Sequence, residues 1–233
     1  MKIFVISLPQ ATARRQSIAR QMEKAGLDYS FVDGVQVDAD HLSGTGYSEK
    51  GRLFRYGYSM LTGEVGCFLA HRAAWKTVQA QNEKCLILED DAVISGLTDA
   101  LLASLDNAPY PLVRLAGVFE KKHKFIGKTA YAKYWGDPAG TAAYVLAPQA
   151  AGRLLDKSAS FYMAVDDFIE ARQLHGVNTY AYLPYPVRQA DMDSHIGLRV
   201  NRQLSGFTRL QLMLVRMYRD VFKYIYRLAY YVF

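Results

Sequence analysis

Two runs of the chain, Lys2 to Leu8 (KIFVISL) and Cys85 to Glu89 (CLILE), are apolar at consecutive positions. That pattern belongs to strands covered on both faces rather than to half-wet edge strands. Between them the period changes. A helical pattern runs from about Ala13 to Ala25, with Thr12 placed to cap it and Gly26 to stop it. A short strand follows at Tyr29 to Val32 and ends in Asp33-Gly34, so the chain opens as a βαβ unit. Residues from about Val35 to Thr62 lack periodicity and predict a long irregular connection, a kind of segment that usually serves a function inside a compact domain. Helical spacing resumes from Glu64 to about Gln81 and places Glu64, Cys67 and His71 on one face.

Beyond the second buried run, the pattern predicts a helix near Leu97 to Leu105 and a strand at Leu112 to Leu115. A Lys/His-rich, hairpin-like stretch at Glu120 to Lys128 and a strand at Gly140 to Ala147 follow. A further helix starts at Pro148, where its first turn tolerates proline, and another begins near Asp166 and ends before Gly176. The alternation of strand and helix predicts an α/β sheet of mixed direction, with no internal repeat.

Composition narrows the class. With 233 residues and 51% hydrophobic content the chain can build a sizeable core, which excludes a disordered tail and a disulfide-stapled module. One large domain is expected. Two cysteines, Cys67 and Cys85, form neither a disulfide framework nor a zinc spacing and suit a reducing compartment. The first apolar run meets Pro9 too soon for a signal peptide, and no stretch approaches the ~20 apolar residues of a membrane span.

The formal charge of +6 is concentrated at one end. Seven of the 28 basic residues and one of the 22 acids lie beyond Leu198, so the preceding residues carry 21 of each. A neutral body argues against a protein-wide nucleic-acid surface, and no nucleic-acid partner is expected. Phe207 to Phe233 interleaves Arg and Lys with Leu, Met, Val, Ile and Tyr, and in helical form Arg209, Arg216, Arg219, Lys223 and Arg227 recur at three, four or seven. Such a helix suits an anionic lipid surface, each basic residue adding about 1 kcal/mol near it. It equally suits docking on the core or pairing with another chain. The expected division is therefore 1–198 for the globular domain and 199–233 for the tail.

The candidate chemistry centres on Glu89-Asp90-Asp91, three acids at the end of a buried strand, where open α/β sheets bind ligands. Their mutual repulsion is relieved by an oxygen-loving divalent cation, Mn²⁺ or Mg²⁺, which can bridge to a diphosphate. The alternative is that they cap the next helix or sit in water.

Five blocks, in order and at their separations, resemble glycosyltransferase family 25, the lipooligosaccharide galactosyltransferases of Gram-negative bacteria and their collagen-modifying relatives. They are VISLPQATARR (Val5 to Arg15), GEVGCFLAHRAAW (Gly63 to Trp75), LILEDDA (Leu86 to Ala92), GTAAYVLAPQAAGRLL (Gly140 to Leu155) and VDDFI (Val165 to Ile169). The resemblance covers roughly residues 1 to 196. It implies a GT-A-like, Rossmann-type mixed sheet flanked by helices, a nucleotide-sugar donor, a divalent metal at an Asp-x-Asp-like motif, and transfer with inversion. Here the motif reads Glu89-Asp90-Asp91, which makes Asp91 the foremost metal ligand, Glu89 a second, and Asp90 a donor-site residue.

On the same resemblance, Asp166 or Asp167 serves as the base that deprotonates the acceptor hydroxyl, with a doubled helix cap as the bland alternative. Ser7, Leu8, Arg14 and Arg15 lie near the nucleotide, and Asp33-Gly34 near base or ribose. Glu64 and His71 face the donor sugar or pyrophosphate, although a packed histidine is the commoner fate. Gly140 and Thr141 approach the sugar, and Asp193 and His195 complete the metal shell or form a plain surface loop. The implied activity is a metal-dependent, inverting hexosyl transfer, UDP-galactose being the donor and a lipid-linked lipooligosaccharide glycan the acceptor. The implied location is the cytoplasmic face of the bacterial inner membrane, held peripherally by the tail. UDP-glucose, another acceptor, homo-oligomerisation, or a non-catalytic membrane-binding protein are the open alternatives.

Overall fold

The structure, a computed structural model, describes residues 1–136, 138–190 and 206–232. In chain order the elements are β1 (Lys2–Ser7), α1 (Thr12–Ala25), β2 (Ser30–Asp33), a single 3₁₀ turn (Ala39–His41), α2 (Glu49–Tyr56), α3 (Thr62–Gln81), β3 (Cys85–Glu89) and β4 (Ala92–Ile94). They continue with α4 (Asp99–Asn107), β5 (Leu112–Arg114), β6 (His123–Phe125), β7 (Tyr131–Tyr134), β8 (Ala143–Leu146), α5 (Pro148–Lys157), α6 (Val165–Ile169) and α7 (Arg172–His175). The last are β9 (Thr179–Tyr182), β10 (Val187–Gln189) and α8 (Gly206–Val232).

Eight strands form one sheet in the order β2-β1-β3-β8-β5-β9-β7-β6, and β4 pairs with β10 in a separate antiparallel ribbon. β1 runs parallel to both neighbours, whereas β8 is antiparallel to β3 and β5. The fold is thus the mixed α/β sheet that the alternation predicts. Because β2 and β3 lie on opposite sides of β1, the chain reverses its direction of sheet growth there. The carboxyl ends of β1 and β3 flank this switch point, where helices leave opposite faces and a crevice opens.

Both faces of the central strands are buried, which explains their unbroken apolar runs. Phe4, Ile6 and Ile87 pack under α3 and α5, while Ile3, Val5, Leu86 and Leu88 pack against α1 and α4. On the α3 side Phe68 stacks on Phe161 with centroids 3.9 Å apart, and Trp75 stacks on Phe168 at 5.9 Å.

Several boundaries differ from the sequence reading. Thr12 is the first residue of α1 and caps nothing, whereas Gly26 ends that helix in the left-handed region, as expected. The connection from Val35 to Thr62 is not wholly irregular: it contains α2, started by Ser48, whose hydroxyl accepts from Gly51 N–H at 3.1 Å, and stopped by Gly57. Eight residues with an internal glycine are too short to show a period. The helix expected from Asp166 to Gly176 is broken at Glu170-Ala171 into α6 and α7. Glu170 turns inward there to pair with Arg114 at 2.5 Å, both side chains buried.

α8 packs along the body and touches α2 and α7. Its C-terminal end is anchored: Tyr230 is buried, its hydroxyl donates to the Thr179 carbonyl, and the Arg172 guanidinium lies 3.7 Å from its ring centroid. Lys133 donates to the Tyr230 carbonyl at 2.9 Å, and Trp135 meets Tyr224 and Tyr231 edge-on. The fold orients the two faces of this helix, which spacing alone leaves open. Arg219, Lys223 and Arg227 are the half-buried stripe turned toward the body, and Leu210, Leu214, Met217, Val221, Ile225 and Leu228 are exposed along the outside. The body presents tyrosine rings on which cationic side chains and their apolar stems can lie. Among the described residues no helix is long and apolar enough to cross a membrane.

Candidate active site at the β1–β3 switch point

A cleft of about 710 Å³ opens at the carboxyl ends of β1 and β3. Its walls include Ser7, Leu8 and Arg14 from the β1–α1 corner, Gly34 to Asp38 from the segment after β2, and Thr62, Gly63, Gly66, Cys67 and His71 from α3. Glu89, Asp90, Asp91 and Gln189 close the acidic end. Two close approaches shape the walls. A Cβ on Gly66 would stand 2.4 Å from the Val35 carbonyl oxygen, and one on Gly34 would stand 3.2 to 3.3 Å from Leu8 and Ser7. Glycine therefore lets α3 and the β2 exit approach the cleft backbone to backbone.

The three acids at the end of β3 are held in three different ways. Asp90 accepts from the Ser7 hydroxyl at 2.7 Å and pairs with Arg14 at 3.3 Å, which ties β3 to β1 and α1. Glu89 accepts from Thr141 and from His71 Nε2 at 3.1 Å. Burial pushes the Glu89 carboxyl up, but the His71 contact, the Thr141 hydroxyl and the Arg114 charge outweigh it, and the group titrates below the ordinary glutamate range. Among the described residues, Asp91 takes a side-chain hydrogen bond from Gln189 at 3.0 Å, and its Oδ1 is buried without a hydrogen-bond partner. Burial, with the nearby charges of Glu89 and Asp90, pushes the Asp91 carboxyl up to about 6.

His71 is wholly buried. Tyr144 accepts from Trp75 Nε1 at 2.8 Å and lies 2.8 Å from His71 Nδ1. One arrangement of protons satisfies every member: Tyr144 donates to Nδ1, and the Nε2 proton points at Glu89. The chain Trp75–Tyr144–His71–Glu89 is thus a proton-ordered wire that fixes the Glu89 carboxylate. Arg114 supports it from the other side by donating to the carbonyls of Ala139 (2.9 Å) and Gly140, next to Thr141.

The donor set distinguishes two ways of holding a cation. Cys67, His71 and Glu89 offer ligand atoms within 4.8 Å of one another. Burial and the charges of Glu89, Asp166 and Asp91 drive the Cys67 thiol well above its usual range, and both His71 nitrogens are engaged, so a soft thiolate–imidazole centre suits this chemistry poorly. The unpartnered Asp91 Oδ1 beside ionised Glu89 fits a hard divalent ion instead.

The remaining expected site residues separate into two groups. Ser7, Leu8, Arg14, Gly34, His71, Glu89, Asp90 and Asp91 all line the cleft. Arg15, Asp33, Glu64, Gly140 and Thr141 do not. Arg15 pairs with Asp33, donates to the Ser7 carbonyl at 2.9 Å and lies over Phe31, so it clamps β1 to β2. The Glu64 carboxylate accepts from Leu61 N–H at 2.9 Å and so caps α3. Gly140 and Thr141 act on the site only through Arg114 and Glu89. Asp166 is within electrostatic reach of Cys67, whereas its neighbour Asp167 acts on Tyr56, and neither lines the cleft. Asp193 and His195 lie outside the described residues.

Gln10, Gln36 and Asp38 also line the cleft, and Gln10 donates to Gln36 at 2.6 Å across its mouth. Nothing in the local sequence marks them, because the turn that gathers them is made by tertiary contacts. Gln189 is likewise brought to Asp91 by the β4–β10 pairing, in which it stands opposite Ala92.

The family model described as "Glycosyltransferase family 25 (LPS biosynthesis protein)" matches residues 1–169. A "Glycosyltransferase 25 family member" of Drosophila pseudoobscura pseudoobscura is 37% identical over 100 residues, covering 38% of this chain and 15% of that protein. "Procollagen galactosyltransferase 1-B" of Xenopus laevis is 31% identical over 98 residues, covering 39% and 16%. The matched stretches thus span about a sixth of these curated relatives. A mouse relative, 35% identical over 96 residues and covering 39% and 16%, is named "Inactive glycosyltransferase 25 family member 3". Among solved structures, a glycosyltransferase involved in glycosylating the major capsid of PBCV-1 covers 93% of this chain and 98% of its own, at 9% identity and a TM-score of 0.44.

Proposed function

The chain belongs to glycosyltransferase family 25, and from that premise we propose that it is a metal-dependent, inverting glycosyltransferase that moves galactose from UDP-galactose onto a lipooligosaccharide glycan. The observation that carries this reading is Asp91 Oδ1, a buried carboxylate oxygen left without a partner in a nucleotide-sized cleft. The family description supports the lipopolysaccharide class of acceptor, and the procollagen galactosyltransferase relatives support galactose.

Asp91 and Glu89 would hold Mn²⁺ or Mg²⁺, which when bound neutralises charge developing on the departing diphosphate. Arg14, half-buried beside Asp90, places a guanidinium at the mouth of the same cleft for phosphate oxygens. Gly34 and Gly66 keep the wall low enough for a ribose or base to approach the backbone. Asp166, whose charge acts on Cys67 in the cleft wall, takes the proton of the acceptor hydroxyl as that oxygen attacks.

Transfer and hydrolysis measured across a panel of UDP-hexoses with Mn²⁺ test the donor. UDP-galactose is expected to be used best and Asp166→Asn to lower its turnover by about 10²-fold or more, with Asp167→Asn close to wild type. Preference for UDP-glucose would move the chain to the alternative donor. No turnover and no UDP-dependent rise in melting temperature would favour a non-catalytic membrane protein.

The exposed apolar stripe of α8 supports a location against a lipid surface, which for this acceptor class is the cytoplasmic face of the inner membrane. Flotation with anionic vesicles is expected to carry the full chain, and Met217→Glu/Ile225→Glu to leave it in solution. Flotation unaffected by these changes would remove the stripe from the interface.

A further inference from the structure

A second concavity of about 530 Å³ lies between α2 and α8, far from the acids at β3 in both chemistry and lining. Its walls are Arg55, Tyr56, Tyr58, Leu212, Arg216 and Arg219, with Met213 at the edge. Beneath it Arg52 is buried, its guanidinium 3.9 Å from the centroid of Tyr56 and 4.6 Å from that of Tyr58. Among the described residues Arg52 Nε has no hydrogen-bond partner, and Nη1 reaches the Tyr162 carbonyl at 3.4 Å. Among the described residues no carboxylate forms a salt bridge with it. The Arg219 guanidinium also lies over Tyr56, 5.0 Å from its centroid.

Arg52 and Arg219 therefore lie against the two tyrosine rings, and Arg55, itself 4.2 Å from the Tyr162 centroid, and Arg216 line the same concavity. The acids near them are Asp220, which pairs with Arg219 at 3.4 Å and Arg216 at 3.9 Å, Asp167, which acts on Tyr56, and Glu49, which accepts from Ser59 at 2.8 Å. Among the described residues positive charge remains in excess, and part of it is buried, where an ion without a counter-charge is costly until an anion arrives. Three rim arginines from two helices offer more donors than the two oxygens of a carboxylate accept, a match for a phosphate group. The tyrosine faces between them suit the C–H face of a sugar ring.

The groove also has a position relative to the cleft. The charge of Asp167 acts on Tyr56 in the groove, and that of the adjoining Asp166 acts on Cys67 in the cleft wall. α6 thus carries one acid within electrostatic reach of each concavity. We propose that the α2–α8 groove is the acceptor subsite and that it takes a sugar carrying a phosphate group. This rests on the glycosyltransferase reading given above.

Calorimetric titration of the full chain with glucose 6-phosphate, glucose and inorganic phosphate tests it, alongside flotation with phosphatidylglycerol vesicles. Glucose 6-phosphate is expected to bind ~10-fold or more tighter than either glucose or inorganic phosphate, because stacking and charge act together. Arg216→Gln should weaken it about tenfold and Arg55→Gln/Arg216→Gln abolish it, while saturating UDP leaves it unchanged. Equal affinity for inorganic phosphate, competition by UDP, indifference to both variants, or arginine-dependent binding confined to the vesicles would each overturn the assignment. UDP with Mn²⁺ is titrated into the same variants. Intact UDP binding without sugar-phosphate binding removes the subsite and leaves the transferase reading standing, whereas sugar-phosphate binding without UDP binding removes the transferase reading and with it the acceptor role, leaving only a sugar-phosphate groove.

Discussion

Asp91→Asn is expected to lower transfer by about 10³-fold or more and, in the metal-free protein, to raise stability above pH 6. The two effects have one cause. Asp91 is the carboxylate whose Oδ1 has no internal partner, so its charge is an expense to the fold that only an external cation offsets. Its pKa of about 6 lies above the ordinary ~3.9 of an unfolded aspartate, so the folded chain holds the extra proton between those values. Stability contributed by this group is therefore full below about pH 4 and lost as the pH rises through 6. At pH 8 the neutral asparagine should be more stable by about 2–3 kcal/mol, and the gain should vanish near pH 4. Thermal melts of both proteins across this range, with and without Mn²⁺, measure it. Wild-type transfer in the variant, or identical melting profiles at pH 8, would show that Asp91 is neither ligand nor strained.

His71→Ala is expected to destabilise the protein by about 3–5 kcal/mol, because it leaves a cavity in the core and strips partners from both Tyr144 and Glu89. For a chain of this size that corresponds to a fall in melting temperature of roughly 10 °C. Tyr144→Phe, which orphans Trp75 Nε1 and His71 Nδ1 but keeps the ring, should cost about 1–3 kcal/mol. A histidine acting as a metal ligand would behave otherwise: its loss would weaken Mn²⁺ binding and leave the metal-free melting temperature near wild type.

Most of the fold is legible along the chain. Runs such as KIFVISL and CLILE have one stable solution, a strand buried on both faces, and Gly26 and Pro148 stand where a helix stops and starts. α2 escapes notice because eight residues contain barely two helical turns. The site is legible to a lesser degree. Three acids at a strand end mark the cleft from sequence alone, and Ser7, Leu8 and Arg14 follow from the neighbouring strand.

Which acid is free is a different matter. The sequence by itself determined that Glu89, Asp90 and Asp91 share one sheet edge, since adjacent residues after a buried strand have nowhere else to go. Only the tertiary structure decided that Glu89 answers to His71 and Thr141, Asp90 to Ser7 and Arg14, and that Asp91 keeps an oxygen unpaired, because those partners come from other strands and helices. The same division holds at the C-terminus. Spacing alone made α8 two-faced, but the direction of each face was set by the tyrosine-rich surface that receives Arg219 and Tyr230, and so the apolar stripe points outward.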